Sequence, residues 1–312
     1  MDDLLCTLQS GIRAIADAGY RGLRTACLRP VINHSLFPTQ AGTHCDHSPG
    51  YTSAICRASD LDKPAFLRWA HALRQPLQYN RKVWEWCFIP AALDARGLLS
   101  NGVRGLGFAV GQEPLAALFA ARGCSIMATD LAAHDVRSQP WRNTGQHAEN
   151  LRALNSSGIC PDDTFRAHVT FRPVDMNDIP VDLLQEQYDF TWSTCSFEHC
   201  GTLELGLEFV RRQMACLRPG GTAVHTTELN LSSNTSTIES GPTVIYRLRD
   251  IDRLIDALID DGHTVACLDT RLGDHPLDLH VDRPPYDFSR HMRLALYGYV
   301  VTSIAVVITK GP

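Results

Sequence analysis

Residues 103–131 constrain the fold of this chain more than any other stretch. The segment opens with the apolar residues Val103 to Ala109, as expected for a buried strand. A turn follows at Gly111. After it, small apolar residues predict a helix that begins near Glu113-Pro114 and is ended by Gly123. The segment therefore begins as a strand joined by a tight turn to a helix.

A second strand completes the unit. Cys124 to Thr129 is a run of small and β-branched residues, and Asp130 stands at its carboxyl end. The strand–helix–strand order implies a parallel α/β sheet, whose ligands lie over the carboxyl ends of the strands. An acidic side chain at that place is suited to bind the hydroxyls of a ribose. Asp130 is therefore a candidate binding residue, and the alternative is an N-cap for the segment that follows.

The glycines of the turn separate two cofactor classes. A dinucleotide site needs Gly-x-Gly-x-x-Gly, so that a pyrophosphate can approach the backbone. Gly105 and Gly107 begin this pattern, but Val110 stands at its third glycine. Glu113 in the first helical turn is also a poor host for a diphosphate. The other class is a nucleoside with an amino-acid end and no phosphate, such as S-adenosylmethionine.

Composition excludes several classes of function. The chain has 312 residues, 44% hydrophobic and 20% charged, and its net charge is −5. This is typical of a globular protein and lacks the basic footprint of nucleic-acid binding. No apolar segment has the length of a membrane span, and Leu294 to Thr309 is interpreted as a buried strand. The eleven cysteines are scattered without a Cys-x-x-Cys pair, which favours a reduced, cytoplasmic protein.

Residues 1–98 are predicted to form an N-terminal helical cap or lid. Apolar spacing predicts a helix in residues 1–30. Residues 31–60 are interpreted as an irregular loop, a reading preferred to a metal site at His44 and His47. Two further helices are predicted in this part, Ala65 to Leu73 and Arg81 to Asp94.

Residues 99–312 continue to alternate strands and helices, which predicts an α/β fold with a doubly wound, seven-stranded, mostly parallel sheet. The last two strands have no helix between them, so the seventh is expected to be antiparallel. Residues 270–298 form an insertion that we place near the acceptor site. The later predicted strands are Ala167 to Val174, Tyr188 to Thr194, Thr222 to Thr227, His263 to Asp269 and Tyr299 to Ile308, and the helices are His147 to Asn155, Leu203 to Leu217 and Asp250 to Asp261.

Four short motifs follow one another along these strands. Asp130 ends the second strand, Asp175-Met176-Asn177 ends the third, Tyr188-Asp189-Phe190 begins the fourth, and Leu217-Arg218-Pro219-Gly220-Gly221 precedes the fifth. In this order, over about residues 98–312, they resemble the class I, Rossmann-like methyltransferases that use S-adenosylmethionine. The glycine-rich motif of that family is matched only at Gly111. Two positions depart from it, because Ala109 stands at its first glycine and Gly107 at its acidic residue.

The resemblance implies S-adenosylmethionine as cofactor and a set of residues that bind it. Asp130 would bind the ribose, Asp175 and Asn177 the edge of the adenine, and Met176 its face. The candidate cofactor-binding residues are Ala109, Gly111, Asp130, Asp175, Met176, Asn177, Ser193 and Arg81.

The methionine end of the cofactor needs a partner elsewhere, because Gly107 offers no carboxylate there. Arg81, which precedes the first strand of the sheet domain, is the candidate to bind the methionine carboxylate. The alternative is that Arg81, Lys82 and Glu85 form a solvated helix face beside a core tryptophan, Trp84, which is the commoner arrangement.

The segment after the fourth strand is where methyl donor and acceptor are expected to meet. His199 is a candidate general base, with Glu228 as a second catalytic candidate, and holding a helix start is an equally weighted role for His199. Glu198-His199 also resembles the Glu-His pair of metal-dependent small-RNA and quinone-pathway methyltransferases, although Cys195 replaces their first glutamate. Glu198, His199 and Glu228 would be the ligands of a divalent metal, which we do not favour.

The expected reaction is O-methylation of a small polar acceptor, such as a sugar or a natural-product hydroxyl. N-methylation, a nicotinamide-dependent oxidoreductase and a non-catalytic S-adenosylmethionine-binding module are the alternatives. The expected partner is a small-molecule acceptor, with no nucleic acid and no membrane, and the sequence also allows a homodimer.

Overall fold

A computed structural model of the chain describes residues 30–38, 51–76, 78–185 and 187–312. The helix predicted in residues 1–30 and the histidines at 44 and 47 lie outside these residues, apart from residue 30. Within the described ranges, no helix has the length and apolar character needed to cross a membrane.

A large mixed sheet organises the chain. Its strand order is β5-β4-β3-β6-β7-β12-β1-β9, with β8 and β11 also paired to β12, while β2 and β10 form a separate parallel pair. The strands are β1 Ser53–Ile55, β2 Tyr79–Asn80, β3 Arg104–Gly107, β4 Ser125–Asp130, β5 Val169–Pro173, β6 Tyr188–Thr194, β7 Leu217–Asn230, β8 Thr264–Val265, β9 Leu268–Asp269, β10 Arg290–His291, β11 Leu294–Leu296 and β12 Tyr299–Thr309.

The pairing of the strands confirms the predicted sheet. Strands β5, β4, β3, β6 and β7 are parallel neighbours, and β12 runs antiparallel beside β7 with Ile304 opposite Thr227. The predicted fifth strand is longer than expected, because β7 begins at Leu217 within the predicted turn. The predicted sixth strand is divided into β8 and β9, which pair with different neighbours.

The helices cover both faces of the sheet in two layers. One core cluster includes Trp84, Phe119 and Trp192, and the other includes Phe108, Phe209 and Val306. In place of the helix predicted at His147 to Asn155, only a short 3-10 helix forms, Leu151–Asn155. The α-helices are α1 Ala58–Leu61, α2 Pro64–Ala72, α3 Arg81–Asp94, α4 Leu115–Ala121, α5 Gln139–Asn143, α6 Asp162–His168, α7 Val181–Gln185, α8 Leu203–Gln213, α9 Leu248–Asp260 and α10 Pro276–Leu279.

The predicted boundary at residue 98 is wrong for the part of the cap that the structure describes. Strand β1 lies in the main sheet, where Ala54 pairs with Ala305 of β12 and with Asp269 of β9. Helix α3 is buried along almost its whole length, from Val83 to Leu93. A separate lid would not share its core with the sheet, so residues 51–98 belong to the same domain as the rest.

Among the cysteines that the structure describes, all but Cys267 follow the expectation. Among the described residues, Cys56, Cys87 and Cys195 are examples of free thiols that are buried. Cys267, in contrast, is disulfide-bonded. The expectation of a wholly reduced chain is therefore wrong at Cys267.

Candidate functional site

A cavity of about 490 Å³ opens at the carboxyl ends of β4, β5, β6 and β7. At one end of it, residues 174–177 lie beside Asp130, and we call this the Asp130 end. The other end, which we call the charged end, is formed by a cluster in which only Lys82 is partly exposed: Arg81, Lys82, Glu85, Cys195, Glu198 and Glu228. All of these residues except Glu85 line the cavity.

Asp130 is held by the backbone around it. Its Oδ1 accepts the N–H of Leu131 at 2.8 Å, and its Oδ2 accepts those of Gly111 at 3.2 Å and Ala148 at 3.1 Å. Burial raises the pKa of Asp130, while His147 and these three N–H groups oppose the rise. A carboxylate offers about four lone-pair positions, so Asp130 is fixed in the cavity wall and can still accept a hydrogen bond from a ligand.

The residues predicted for adenine line the same end. Met176 is 9% exposed and lies between Asp175 and Asn177, and all three face the cavity. The Asp175 carboxylate bonds Arg137 at 2.8 Å, and Asn177 donates to the Cys200 carbonyl at 3.1 Å. Both side chains are therefore already fixed in place.

The turn between β3 and α4 adopts a conformation that the sequence made look unfavourable. Ala109 has φ +46° and Gly111 has φ +53°. Ala109 therefore adopts a backbone conformation that normally favours glycine. At Gly111 a Cβ would also come within 2.7 Å of the Gln146 carbonyl oxygen. Both residues line the cavity, as predicted for the cofactor turn.

Ser193 is not placed as predicted. Its hydroxyl pairs with Nδ1 of His225 at 2.8 Å, and Ser193 is 1% exposed and absent from the cavity wall. His225 packs against Phe197 and Phe209, and burial lowers its pKa to about 3. Alternate residues of a strand point to opposite faces, so the cavity is lined by Thr194, the neighbour of Ser193. The prediction that Ser193 binds the cofactor is therefore corrected by one position, to Thr194.

Arg81 lies at the centre of the charged end and is 3% exposed. Its guanidinium bonds Glu228 Oε1 at 2.5 Å, Ser303 Oγ at 3.1 Å, and Cys195 Sγ and Glu85 Oε1, both at 3.4 Å. The alternative that Arg81 belongs to a solvated helix face is therefore excluded. These contacts also tie Arg81 to protein groups, which counts against its predicted role at the methionine carboxylate.

Glu85 lies behind Arg81 and is fully buried. It accepts bonds from Lys82 Nζ at 3.1 Å and Thr226 Oγ1 at 3.0 Å, and also from the hydroxyl of Ser303. Burial alone would raise the pKa of Glu85, but Lys82 and Arg81 outweigh it and hold the pKa below its usual range. Glu85 therefore carries a compensating negative charge beneath the cavity floor.

Glu198 has one carboxylate oxygen that is available to a ligand. Oε2 accepts the hydroxyl of Thr227 at 2.9 Å, whereas Oε1 is buried and has no hydrogen-bond partner among the described residues. Burial raises the pKa of Glu198 to about 7, against the lowering effect of Lys82. A carboxyl group that lines a cavity and titrates near neutrality can both take up and release a proton.

His199 lies beside Glu198 in a different state. Its Nδ1 donates to the Pro242 carbonyl at 2.8 Å, which leaves the lone pair on Nε2, and the ring packs edge-on against Trp141 at 4.9 Å. Burial lowers the pKa of His199 to about 4. The ring is neutral at pH 7 and is a weak base, so the environment favours Glu198 over His199 for this role.

The donor set of the charged end does not fit a divalent metal. Ligand atoms of Cys195, Glu198 and Glu228 lie within 4.8 Å of one another, and His199 does not belong to this group. Arg81 already bonds both the Cys195 sulfur and the Glu228 carboxylate. A cation bound there would have to displace that guanidinium, and the site has too few oxygen ligands for a hard ion.

Sequence reasoning missed three functional candidates, which are Lys82, Glu113 and Glu198 as an acid–base group. Lys82 and Glu113 both line the cavity, but Lys82 was treated as surface and Glu113 only as an obstacle to diphosphate. A signal was available, because Lys82 and Glu85 stand between Asn80 and Trp86 in a helix otherwise rich in apolar residues. Charged residues within an apolar helix are buried only where they find partners.

Comparison with known proteins gives distant likenesses only. No family model and no curated protein matches the chain. A magnesium protoporphyrin IX methyltransferase from Synechocystis PCC 6803 with bound SAH is 12% identical over 81% of this chain and 98% of that one, with a TM-score of 0.42. An S-adenosylmethionine-dependent methyltransferase from Clostridium acetobutylicum ATCC 824 is 12% identical over 75% and 93%, with a TM-score of 0.42.

A third solved structure of distant likeness is that of a cyclase. The cyclase SpnF is 14% identical over 72% of this chain and 83% of that one, with a TM-score of 0.43. The fold is established instead by the chain's own topology. Strand order β5-β4-β3-β6-β7-β12 with β12 antiparallel is that of the class I, Rossmann-like methyltransferase fold.

Proposed function

We propose that the chain is an S-adenosylmethionine-dependent methyltransferase that O-methylates a small polar acceptor. One observation carries the proposal most directly. A single cavity connects a strand-end carboxylate, Asp130, with a buried carboxyl group of raised pKa, Glu198. The first is suited to a ribose, and the second to the proton of a hydroxyl.

The Asp130 end would receive the nucleoside. The fixed Asp130 carboxylate accepts from the ribose hydroxyls, and the Met176 side chain lies where it can cover the adenine. A dinucleotide fits less well, because Val110 and Glu113 occupy the part of the turn where a pyrophosphate needs bare backbone and a favourable dipole. This distinction supports a nucleoside ligand without phosphate.

The part of the charged end around Glu198 would receive the acceptor. S-adenosylmethionine supplies an activated methyl group on a sulfonium, so alignment alone provides much of the rate. Glu198 takes the hydroxyl proton on Oε1, and Thr227 holds its other oxygen. As the new C–O bond forms, the C–S bond breaks and its electron pair remains on sulfur. Burial of the cluster excludes water from the reacting atoms.

Calorimetry with S-adenosylhomocysteine and NAD⁺ tests the cofactor assignment. The wild-type protein should bind S-adenosylhomocysteine and should not bind NAD⁺. Asp130→Asn should weaken that affinity by more than about tenfold, because a charge-assisted pair of hydrogen bonds to the ribose is lost.

Asp189→Asn is the matched control. Asp189 lies at the amino end of β6, away from the cavity at the carboxyl ends of the strands, and its carboxylate accepts a hydrogen bond from Arg218 at 2.5 Å. The affinity of the Asp189→Asn variant for S-adenosylhomocysteine should equal that of the wild type. Binding of NAD⁺ in preference to S-adenosylhomocysteine would overturn the proposal.

A further inference from the structure

We propose that Lys82 and Glu113 form the subsite for the amino-acid end of the methyl donor, Lys82 binding its carboxylate and Glu113 its ammonium group. This inference rests on the proposed function and deepens it. It also assigns the contact that Gly107 cannot make and that the sequence suggested for Arg81.

An acidic side chain cannot stand at position 107 in this fold. A Cβ on Gly107 would come within 2.4 Å of Cζ2 of Trp192 and 2.5 Å of Cγ1 of Val110. Trp192 is fully buried on β6, so it cannot move aside without opening the core. The carboxylate that the ammonium group requires must come from another position.

Glu113 meets this requirement. It follows the turn that carries Gly111, it lines the cavity, and its Oε2 is buried without a hydrogen-bond partner among the described residues. A buried carboxylate oxygen without a partner costs free energy, which a ligand N–H would recover. Burial and the nearby charges of Glu85 and Asp130 raise the pKa of Glu113, and a bound ammonium group would oppose that rise.

Lys82 and Arg81 are neighbours in α3, but their surroundings differ. Both nitrogens at the tip of the Arg81 guanidinium bond protein groups. Lys82 Nζ bonds Glu85 at 3.1 Å and the Thr194 carbonyl at 3.4 Å, the second a long contact, and its side chain is 16% exposed at the cavity wall. An ammonium group has three N–H donors, so Lys82 can bind a ligand carboxylate without giving up Glu85.

The two side chains have opposite charges and belong to different elements. Lys82 projects from the first turn of α3, and Glu113 from the segment before α4. The charge of Lys82 acts on Glu113, since it opposes the rise in the pKa of that carboxyl group. A lysine and a carboxyl group on one cavity wall are complementary to an α-amino acid zwitterion, because the ligand's ammonium group would favour the ionised form of Glu113. The ligand class is a nucleoside that carries such a zwitterion.

Two ligands that differ only at the amino-acid end test this inference. S-adenosylhomocysteine has that end, and 5′-methylthioadenosine lacks it. Calorimetry should show that Lys82→Met weakens S-adenosylhomocysteine about tenfold or more and leaves 5′-methylthioadenosine within about twofold, because only the first ligand loses a charge-assisted contact. Glu113→Gln should show the same selectivity with a smaller loss, and it keeps the inference testable if Lys82→Met does not fold.

Matched controls separate this inference from the cofactor assignment. Lys63→Met removes a lysine that does not line the cavity and that pairs with Asp60 at 2.9 Å. This variant should bind both ligands as the wild type does. Asp130→Asn should weaken both ligands. Equal weakening of both ligands by Lys82→Met and Glu113→Gln, or no weakening of either, overturns the subsite while leaving the cofactor assignment intact. Failure of the wild type to bind either ligand overturns both.

Discussion

The two ends of the cavity are built by different kinds of contact. At the Asp130 end, one carboxylate accepts three backbone N–H groups, two of them from residues within the 103–131 unit. At the charged end, side chains from α3, β7 and β12 bond one another, as Arg81 does with Glu228 and Ser303. The first arrangement follows from a local motif, and the second exists only when distant parts of the chain are assembled.

The difference has an energetic consequence. Backbone donors do not lose their positions when one side chain changes, so the Asp130 end tolerates substitution with a local cost. A buried set of charges is balanced only as a whole, and removing one member leaves another uncompensated. The charged end should therefore be more sensitive to single substitutions, in turnover and in stability.

The largest expected effect is on turnover at Glu198. Glu198→Gln should lower kcat by about 10²–10⁴-fold, because a general base is lost, while the affinity for S-adenosylhomocysteine stays near that of the wild type. Release of S-adenosylhomocysteine with an acceptor that the wild type methylates measures this. His199→Gln should lose less than about tenfold, because the pKa of His199 is lowered to about 4. A larger loss of kcat in His199→Gln than in Glu198→Gln would identify His199 as the general base.

A second comparison concerns the adjacent cations of α3. Arg81→Met should destabilise the protein by about 3–5 kcal/mol, because Glu228 is left buried without its counter-charge and Glu85 keeps only Lys82. Lys82→Met should cost less, because Lys82 is partly exposed and Arg81 still faces Glu85. Urea unfolding measures both values. Equal losses would mean that the two cations share one structural role.

The pH dependence of stability provides a third test. The pKa of Glu198 is about 7 in the folded chain against 4.5 for an ordinary glutamate. The folded state therefore binds this proton more tightly than the unfolded state does. Its stabilising contribution is complete below about pH 4.5 and is lost as the pH rises to about 7, by up to about 3 kcal/mol.

Glu198→Gln should remove the loss of stability that Glu198 causes as the pH rises to about 7. Urea unfolding of wild type and variant at pH 5 and pH 8 checks this, since the free energy of unfolding of the wild type should fall relative to that of the variant between the two values. A difference that is the same at both pH values would place the pKa of Glu198 outside this window.

The smallest effects are expected at the turn of the Asp130 end. Gly111→Ala should destabilise by about 1–2 kcal/mol through its positive φ, with a further loss from the contact to the Gln146 carbonyl. Ala109→Gly should change stability by less than about 1 kcal/mol, because relief of the positive φ is offset by the greater freedom of glycine in the unfolded chain. Thermal unfolding measures both, and a large gain from Ala109→Gly would show stored strain.

The long elements around the cavity were predicted well for a physical reason. Strand β6 was placed at Tyr188–Thr194 and helix α3 at Arg81–Asp94 without error, since apolar periodicity specifies long buried elements. Asp130 and Met176 became candidates because Asp130 ends a strand and Met176 closely follows one, and both line the cavity. Ser193 failed by one position, because the alternation of side chains along a strand decides which neighbour faces a cavity.

The charged end could not be predicted in the same way. Glu85 meets Ser303 across 218 positions of sequence, and the positions of the two residues in the sequence do not reveal that they meet. Arg81 and Glu85 looked like a solvated face because charged residues are seldom fully buried without partners. The prediction of a separate N-terminal lid was wrong for a similar reason. Strand β1 is only three residues long, and its pairing with β12 is non-local.

Co-crystallisation with S-adenosylhomocysteine is the most direct test of the account. The ligand should lie in the cavity with its ribose hydroxyls on Asp130, its adenine over Met176 and its amino-acid end between Lys82 and Glu113. The thioether sulfur should face the charged end, towards Glu198. A ligand bound outside this cavity, or one with its amino-acid end on Asp130, would contradict the account.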